Sequence, residues 1–173
     1  MSVHLQRIRL FATTKDQAEA GADSGVLLWY YVNSHVMTTF PTKGWNSQEL
    51  TRPWKDRERG RTEVYEADFR TGERELIVSG TTVPRGIAFP DFVHARTGSF
   101  WLRMMGDEWW RIAHYYLLGY FQELRHVLGT IDTFETVDYG WLLMARRDGD
   151  INMSVDPAEG ATWHHIELNG TFI

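Results

Sequence analysis

Trp45 and Trp54 stand among Lys43, Arg52, Lys55 and Arg57, in a stretch broken by Pro41, Gly44, Pro53 and Gly60. Indole rings settle at membrane–water interfaces, and each basic residue near an anionic headgroup layer adds about 1 kcal/mol of attraction. A surface loop carrying both residue types is therefore a candidate for binding a lipid surface. The competing reading is structural: both indoles fold back over the end of the domain and the cations are merely solvated. Arg57 and Arg59 beside Asp56 and Glu58 then form a surface lattice of little energetic value.

Other chemistries find less material. His164 and His165 are adjacent, so on a strand they point to opposite faces and cannot share a metal there. His94, His114 and His126 follow no ligand spacing, although folding could still assemble them. Cysteine is absent, which excludes disulfides, thiolate catalysis and Cys-bound zinc. There is no G-x-S-x-G elbow and no Gly-x-Gly, which removes the usual serine-hydrolase and dinucleotide motifs. In Asp107-Glu108-Trp109-Trp110 the carboxylates sit beside aromatic rings that could raise their pKa, but such a turn is ordinarily solvated. No catalytic residue is named by these patterns, and a non-catalytic role is the leading expectation.

The remaining composition narrows the choice. The chain has 173 residues, 43% of them hydrophobic and 24% charged, within the range of one globular domain. Aromatics make up 14%, with eight tryptophans, more than a single small core readily hides. An exposed aromatic patch is expected, and such patches mark interfaces, a homodimer's included. The net charge of −5 argues against nucleic acid, despite six basic against three acidic residues between Pro41 and Arg61. Met1 to Phe11 lacks the apolar run of a secretory leader, and no stretch is long enough for a transmembrane segment. A cytoplasmic protein is expected.

The elements that must position these residues read as strands. Arg7 to Phe11 and Glu63 to Phe69 alternate polar and apolar residues. Val26 to Val32 is apolar on both faces, as in a strand buried between two layers. Leu76 to Val78, Ser99 to Met105 and Trp163 to Leu168 add further strands. Gly86 to Val93 contains Pro90 and suits an edge strand or kinked connection. Trp110 to Leu118 fits a strand or an amphipathic helix continuing to Leu128, and its aromatics favour the strand. Trp141 to Arg147 and Ile151 to Val155 flank Asp148-Gly149-Asp150, which predicts a hairpin turn. In the doublets Trp109-Trp110 and Tyr115-Tyr116, one member of each should be core. The sum is an all-β protein, an antiparallel β-sandwich of roughly eight to ten strands.

Three segments resemble a PLAT domain, the β-sandwich module of lipoxygenases and several lipases. Ala20-Gly21-Ala22-Asp23-Ser24-Gly25-Val26 is similar to the turn that opens a core strand in that family. Glu58-Arg59-Gly60-Arg61-Thr62-Glu63-Val64-Tyr65 resembles its stretch after a long loop. Gly106-Asp107-Glu108-Trp109-Trp110-Arg111-Ile112 resembles its late turn into a Trp-bearing strand. The match runs over residues 6–122. Ala22 departs from the Thr usual there, and residues 123–173 exceed the module as a C-terminal extension expected to add strands within the same single domain.

The resemblance implies binding of a lipid or amphiphile surface or of a protein partner, sometimes with calcium. Asp23, and more weakly Asp107, would be the calcium ligands. Calcium takes six to eight oxygens, so these two are far short of a site, and Asp23 equally suits capping its own turn. Two other functions fit a sandwich. An aromatic-lined pocket with Asp and His94 or His114 as acid and base would suit a cyclase or isomerase, with cation–π stabilisation of a carbocation. A row of coplanar exposed tryptophans would suit carbohydrate.

Overall fold

The computed structural model describes residues 2–16, 25–32, 35–41, 60–70, 75–96, 99–105 and 109–170. It is an antiparallel β-sandwich. In chain order its elements are β1 (Ser2–Thr14), β2 (Gly25–Val32), β3 (His35–Pro41), β4 (Thr62–Asp68), β5 (Ile77–Val78), β6 (Thr81–Thr82), β7 (Ile87–Phe89), the one-turn helix α1 (Phe92–Ala95), β8 (Ser99–Met105), β9 (Trp110–His126), β10 (Phe134–Met153) and β11 (Trp163–Ile166).

One sheet runs β10-β9-β1-β4, with β7 pairing β1 at Val3 to Leu5, beyond the stretch that β4 covers. The second runs β11-β8-β2-β3, and β5-β6 form a small hairpin apart. β10 and β11 thus close one edge of each sheet. Trp110–His126 is strand throughout, because its apolar residues recur every second position: Tyr115, Leu117 and Phe121 are all buried. They meet Phe100, Leu102 and Met104 of β8 and Ile166 of β11 in one core. The doublets divide as alternation requires, with Trp110 and Tyr115 fully buried and Tyr116 on the outer face.

The long strands keep their faces through bulges. In β1 the register against β9 slips between Leu5 and Arg7, so Gln6 is the extra residue. Without that slip, Val3 and Leu5 would face away from Ile8, Leu10 and Ala12; with it all five are core. Asp148-Gly149-Asp150 is likewise a bulge and not the expected hairpin turn: Arg147 pairs with Tyr115 and Ile151 with Ile112, so both flanks lie on the same neighbour, β9. Gly149 supplies the positive φ of 111°. The Asp-Gly signal reports a backbone that needs positive φ, which a bulge satisfies as well as a tight turn.

Pro90 lies just beyond β7, and Asp91 then caps α1, accepting from the backbone N–H of His94 at 2.8 Å. Among the described residues, no helix is long and apolar enough to cross a membrane.

Candidate functional site

The outer face of the five-stranded sheet is built from cross-strand rows. The register sets Trp141, Tyr120, Arg7 and Asp68 side by side, and next to them Leu143, Leu118, Arg9 and Glu66. Arg7's guanidinium carbon lies 4.9 Å from the Tyr120 ring centre and 5.3 Å from that of Trp141, while Arg9's lies 4.4 Å from Trp141. Tyr120 and Trp141 meet edge to face with centres 5.4 Å apart. Arg9 also donates to Glu66 at 2.5 Å. The Nε of Arg7 is buried and has no hydrogen-bond partner among the described residues. The aromatics of this face are thus stacked under cations, a geometry that stiffens both.

Toward the Gln6 bulge the face opens into a groove of about 650 Å³, lined by Gln6, Asp68, Arg70, Gln122 and Thr136 on the sheet and by the segment from Thr82 to Arg85 as a wall. Several lining groups are held in place by hydrogen bonds. Gln6 Nε2 donates to Gln122 Oε1 at 2.8 Å. Gln122 Nε2 reaches Asp138 at 3.4 Å, and the Tyr120 hydroxyl donates to the same carboxylate. Arg70 holds Asp68 through Nε at 2.9 Å and Nη2 at 2.5 Å. That bidentate contact holds the Asp68 carboxyl below the usual carboxylate range. Tyr120's hydrogen bond does the same for Asp138, and the carboxylate in turn raises the Tyr120 pKa. Both acids are therefore ionised acceptors at neutral pH.

The wall is pinned by Gly86. Its φ is +108°, and a methyl group there would overlap the Leu5 carbonyl oxygen and come within 2.9 Å of the Gln6 Cα. Only glycine lets the wall lie this close to the β1 bulge. On the far side Thr136 Oγ1 donates to the Thr82 carbonyl at 3.3 Å, and Thr81 Oγ1 to that of Phe134 at 2.9 Å, which moors the β5–β6 hairpin to β10.

Beyond the groove, the turn joining β9 to β10 presents Leu128 and Ile131 at 96% and 89% exposure. Leu76 and Ile77, on the neighbouring hairpin, are exposed as well.

Trp45, Trp54, Lys43, Arg52 and Lys55, and the calcium candidates Asp23 and Asp107, all fall outside the described residues. Among the described residues no three His, Asp or Glu side chains converge as a metal site would require. His94 Nδ1 lies 2.8 Å from Asp91 Oδ1, but both side chains are half exposed on α1. His114 pairs with Thr13 at 2.8 Å on the outer face. His164 does point inward, its Nε2 3.2 Å from the Tyr115 hydroxyl. Burial lowers the His164 pKa to about 4 and raises that of Tyr115 to about 12, so both are neutral across the physiological range.

Sequence reasoning missed the groove because Gln6 and Gln122 are 116 positions apart and meet only through register. The exposed turn did carry a signal: Val127-Leu128-Gly129-Thr130-Ile131 places aliphatic residues where a hairpin connection is ordinarily polar.

No family model matches the chain, and no curated protein matches it. Among solved structures it is similar to the alpha-toxin of an avian Clostridium perfringens strain, at 11% identity and a TM-score of 0.51, over 94% of this chain and 31% of that one. It is also similar to the alpha toxin of Clostridium absonum, at 13% identity and a TM-score of 0.43, over 88% of this chain and 32% of that one. The chain thus spans about a third of the length of these proteins. The first likeness is one of fold, and it agrees with the β-sandwich.

Proposed function

We propose that this chain is a non-catalytic binding module that docks on a lipid surface through the turn bearing Leu128 and Ile131. The carrying observation is the near-complete exposure of two aliphatic side chains on one protruding turn. Soluble domains tolerate isolated exposed leucines, but Leu76 and Ile77 are exposed too, on the hairpin that Thr81 and Thr136 moor to β10. Protruding aliphatic side chains suit a fluid hydrocarbon phase, which needs no preformed hole to receive them. Burial of each such side chain contributes about 1.5–3 kcal/mol. The resemblance of residues 6–122 to a lipid-binding β-sandwich module supports the same reading. The Trp45 and Trp54 loop is the alternative contact.

Co-sedimentation with phosphatidylcholine vesicles tests the proposal. Binding that persists at high salt is expected, since insertion of aliphatic side chains is not screened. Failure to bind both neutral and phosphatidylserine-containing vesicles would leave a protein partner as the better reading. An enzyme reading draws less support, because the His94–Asp91 pair on α1 is a helix cap open to solvent.

A further inference from the structure

The groove at the Gln6 bulge has a chemistry the lipid reading does not use. We propose that it binds a neutral polyhydroxylated ligand, a sugar ring or an inositol-like polyol, gripped by Gln6, Gln122, Asp68 and Arg85.

The argument starts from what hydroxyl groups require. Each hydroxyl both donates and accepts, so a polyol is recognised by donors and acceptors placed side by side. The groove supplies both kinds within one wall-to-wall span: two carboxamides, each with an acceptor and two donors, the Asp68 carboxylate and the Arg85 guanidinium. The volume of about 650 Å³ falls within the range of small-molecule sites.

Charge selects against an anion. Arg70 spends its fork on Asp68, so of the lining cations only Arg85 is left without a carboxylate among the contacts described. Asp138 stands immediately behind Gln122 and adds a second carboxylate. A phosphate site gathers several cations and backbone N–H groups instead.

The site is also preorganised. Gln6 sits at a bulge, where its backbone is released from the β9 ladder, and its carbonyl accepts from Phe69 N–H at 2.8 Å. The chain Gln6–Gln122–Asp138–Tyr120 orients both amides before any ligand arrives. Gly86 fixes the facing wall. None of this depends on the exposed turn, so the groove and the lipid contact stand or fall separately.

The test follows the side-chain NH₂ signals of Gln6 and Gln122 by NMR, assigned through their loss in Gln6→Ala and Gln122→Ala. Glucose, galactose, mannose, myo-inositol and inorganic phosphate are titrated separately. At least one polyol should move both signals saturably, while phosphate moves neither. Arg85→Ala, a surface change remote from the core, should weaken that affinity about tenfold, the loss of one charge-assisted hydrogen bond. Phosphate moving the signals where no polyol does, or no saturable shift with any polyol, overturns the proposal.

Two arms separate the sources of the polyol. If it is a lipid headgroup, phosphatidylcholine vesicles containing a galactosyl lipid should bind several-fold tighter than plain ones, and free galactose should abolish the difference. If it is soluble, doping adds nothing while the NMR shifts remain. Plain vesicles report the lipid contact without the groove, so failure of the lipid reading is visible independently.

Discussion

The two ends of the five-stranded sheet share the same strands and are finished in opposite ways. At the Thr14 end, Trp110 is fully buried, its Nε1 donates to Thr14 Oγ1 at 3.0 Å, and its ring meets Tyr65 edge to face at 6.0 Å. Thr14 and Lys15 donate to the carbonyls of Arg61 and Arg111, both at 2.9 Å, and Lys15 pairs with Asp150. Val155, just past β10 at this end, is 38% exposed, well short of the aliphatic residues at the other end. At the other end the turn between β9 and β10 holds Leu128 and Ile131 in solvent, beside a groove whose polar groups are fixed in advance. Folding stability explains the first end and says nothing in favour of the second. The exposed aliphatics bury little in the isolated chain, which leaves them available for the docking proposed above.

That contrast can be broken by mutation. Trp110→Ala should cost about 3–5 kcal/mol, read by urea denaturation, because it removes a large buried ring and its hydrogen bond. Gly86→Ala should cost roughly 1–3 kcal/mol, since it combines a strained positive φ with a clash against the β1 bulge. Its thermal midpoint should fall and the Gln6 and Gln122 side-chain signals should shift even without ligand. A stable Gly86→Ala with unmoved signals would show that the wall is not built as described.

A smaller effect sharpens the buried side of the comparison. The His164 pKa is depressed from 6.5 to about 4 in the folded chain, so its contribution is fully present above about pH 6.5 and is lost as pH falls toward 4. His164→Gln, which can still reach Tyr115, should flatten the acid limb of the stability profile. Tyr115 runs the other way. Its pKa is raised from 10 to about 12, so stability is lost as pH climbs from 10 toward 12, and Tyr115→Phe should flatten that limb. Both profiles are read from thermal melts across pH, and unchanged slopes would mean these groups are solvated.

The architecture was largely legible in the amino-acid order. Alternation in Arg7–Phe11 and Glu63–Phe69 named strands that are strands, because period-two burial is a local signal, whereas Trp110–Leu118 also fitted a helix and only its aromatics favoured the strand it is. Bulges were not legible. Gln6 looks like any strand residue, and Asp148-Gly149 announces positive φ without saying whether the chain turns back. The groove was illegible for the same reason: Gln6, Asp68 and Gln122 are unremarkable polar residues until register sets three strands side by side. Aromatic and cationic residues drew attention to Trp45 and Trp54, whereas the aliphatic signal at Leu128 and Ile131 is readable only once the segment is known to be the connection between two strands.

The most direct measurement is co-sedimentation with phosphatidylcholine vesicles for the wild type, the double variant Leu128→Glu/Ile131→Glu and the double variant Trp45→Ala/Trp54→Ala. Leu128 and Ile131 are exposed, and surface changes of this kind alter stability by within about 0.5 kcal/mol, so their double variant should fold; urea denaturation checks the fold of both variants. Docking through the exposed turn predicts that Leu128→Glu/Ile131→Glu weakens binding by at least about 100-fold, the loss of two buried aliphatic side chains, at low and high salt alike. Wild-type affinity in that variant, with binding lost in Trp45→Ala/Trp54→Ala instead, would contradict it.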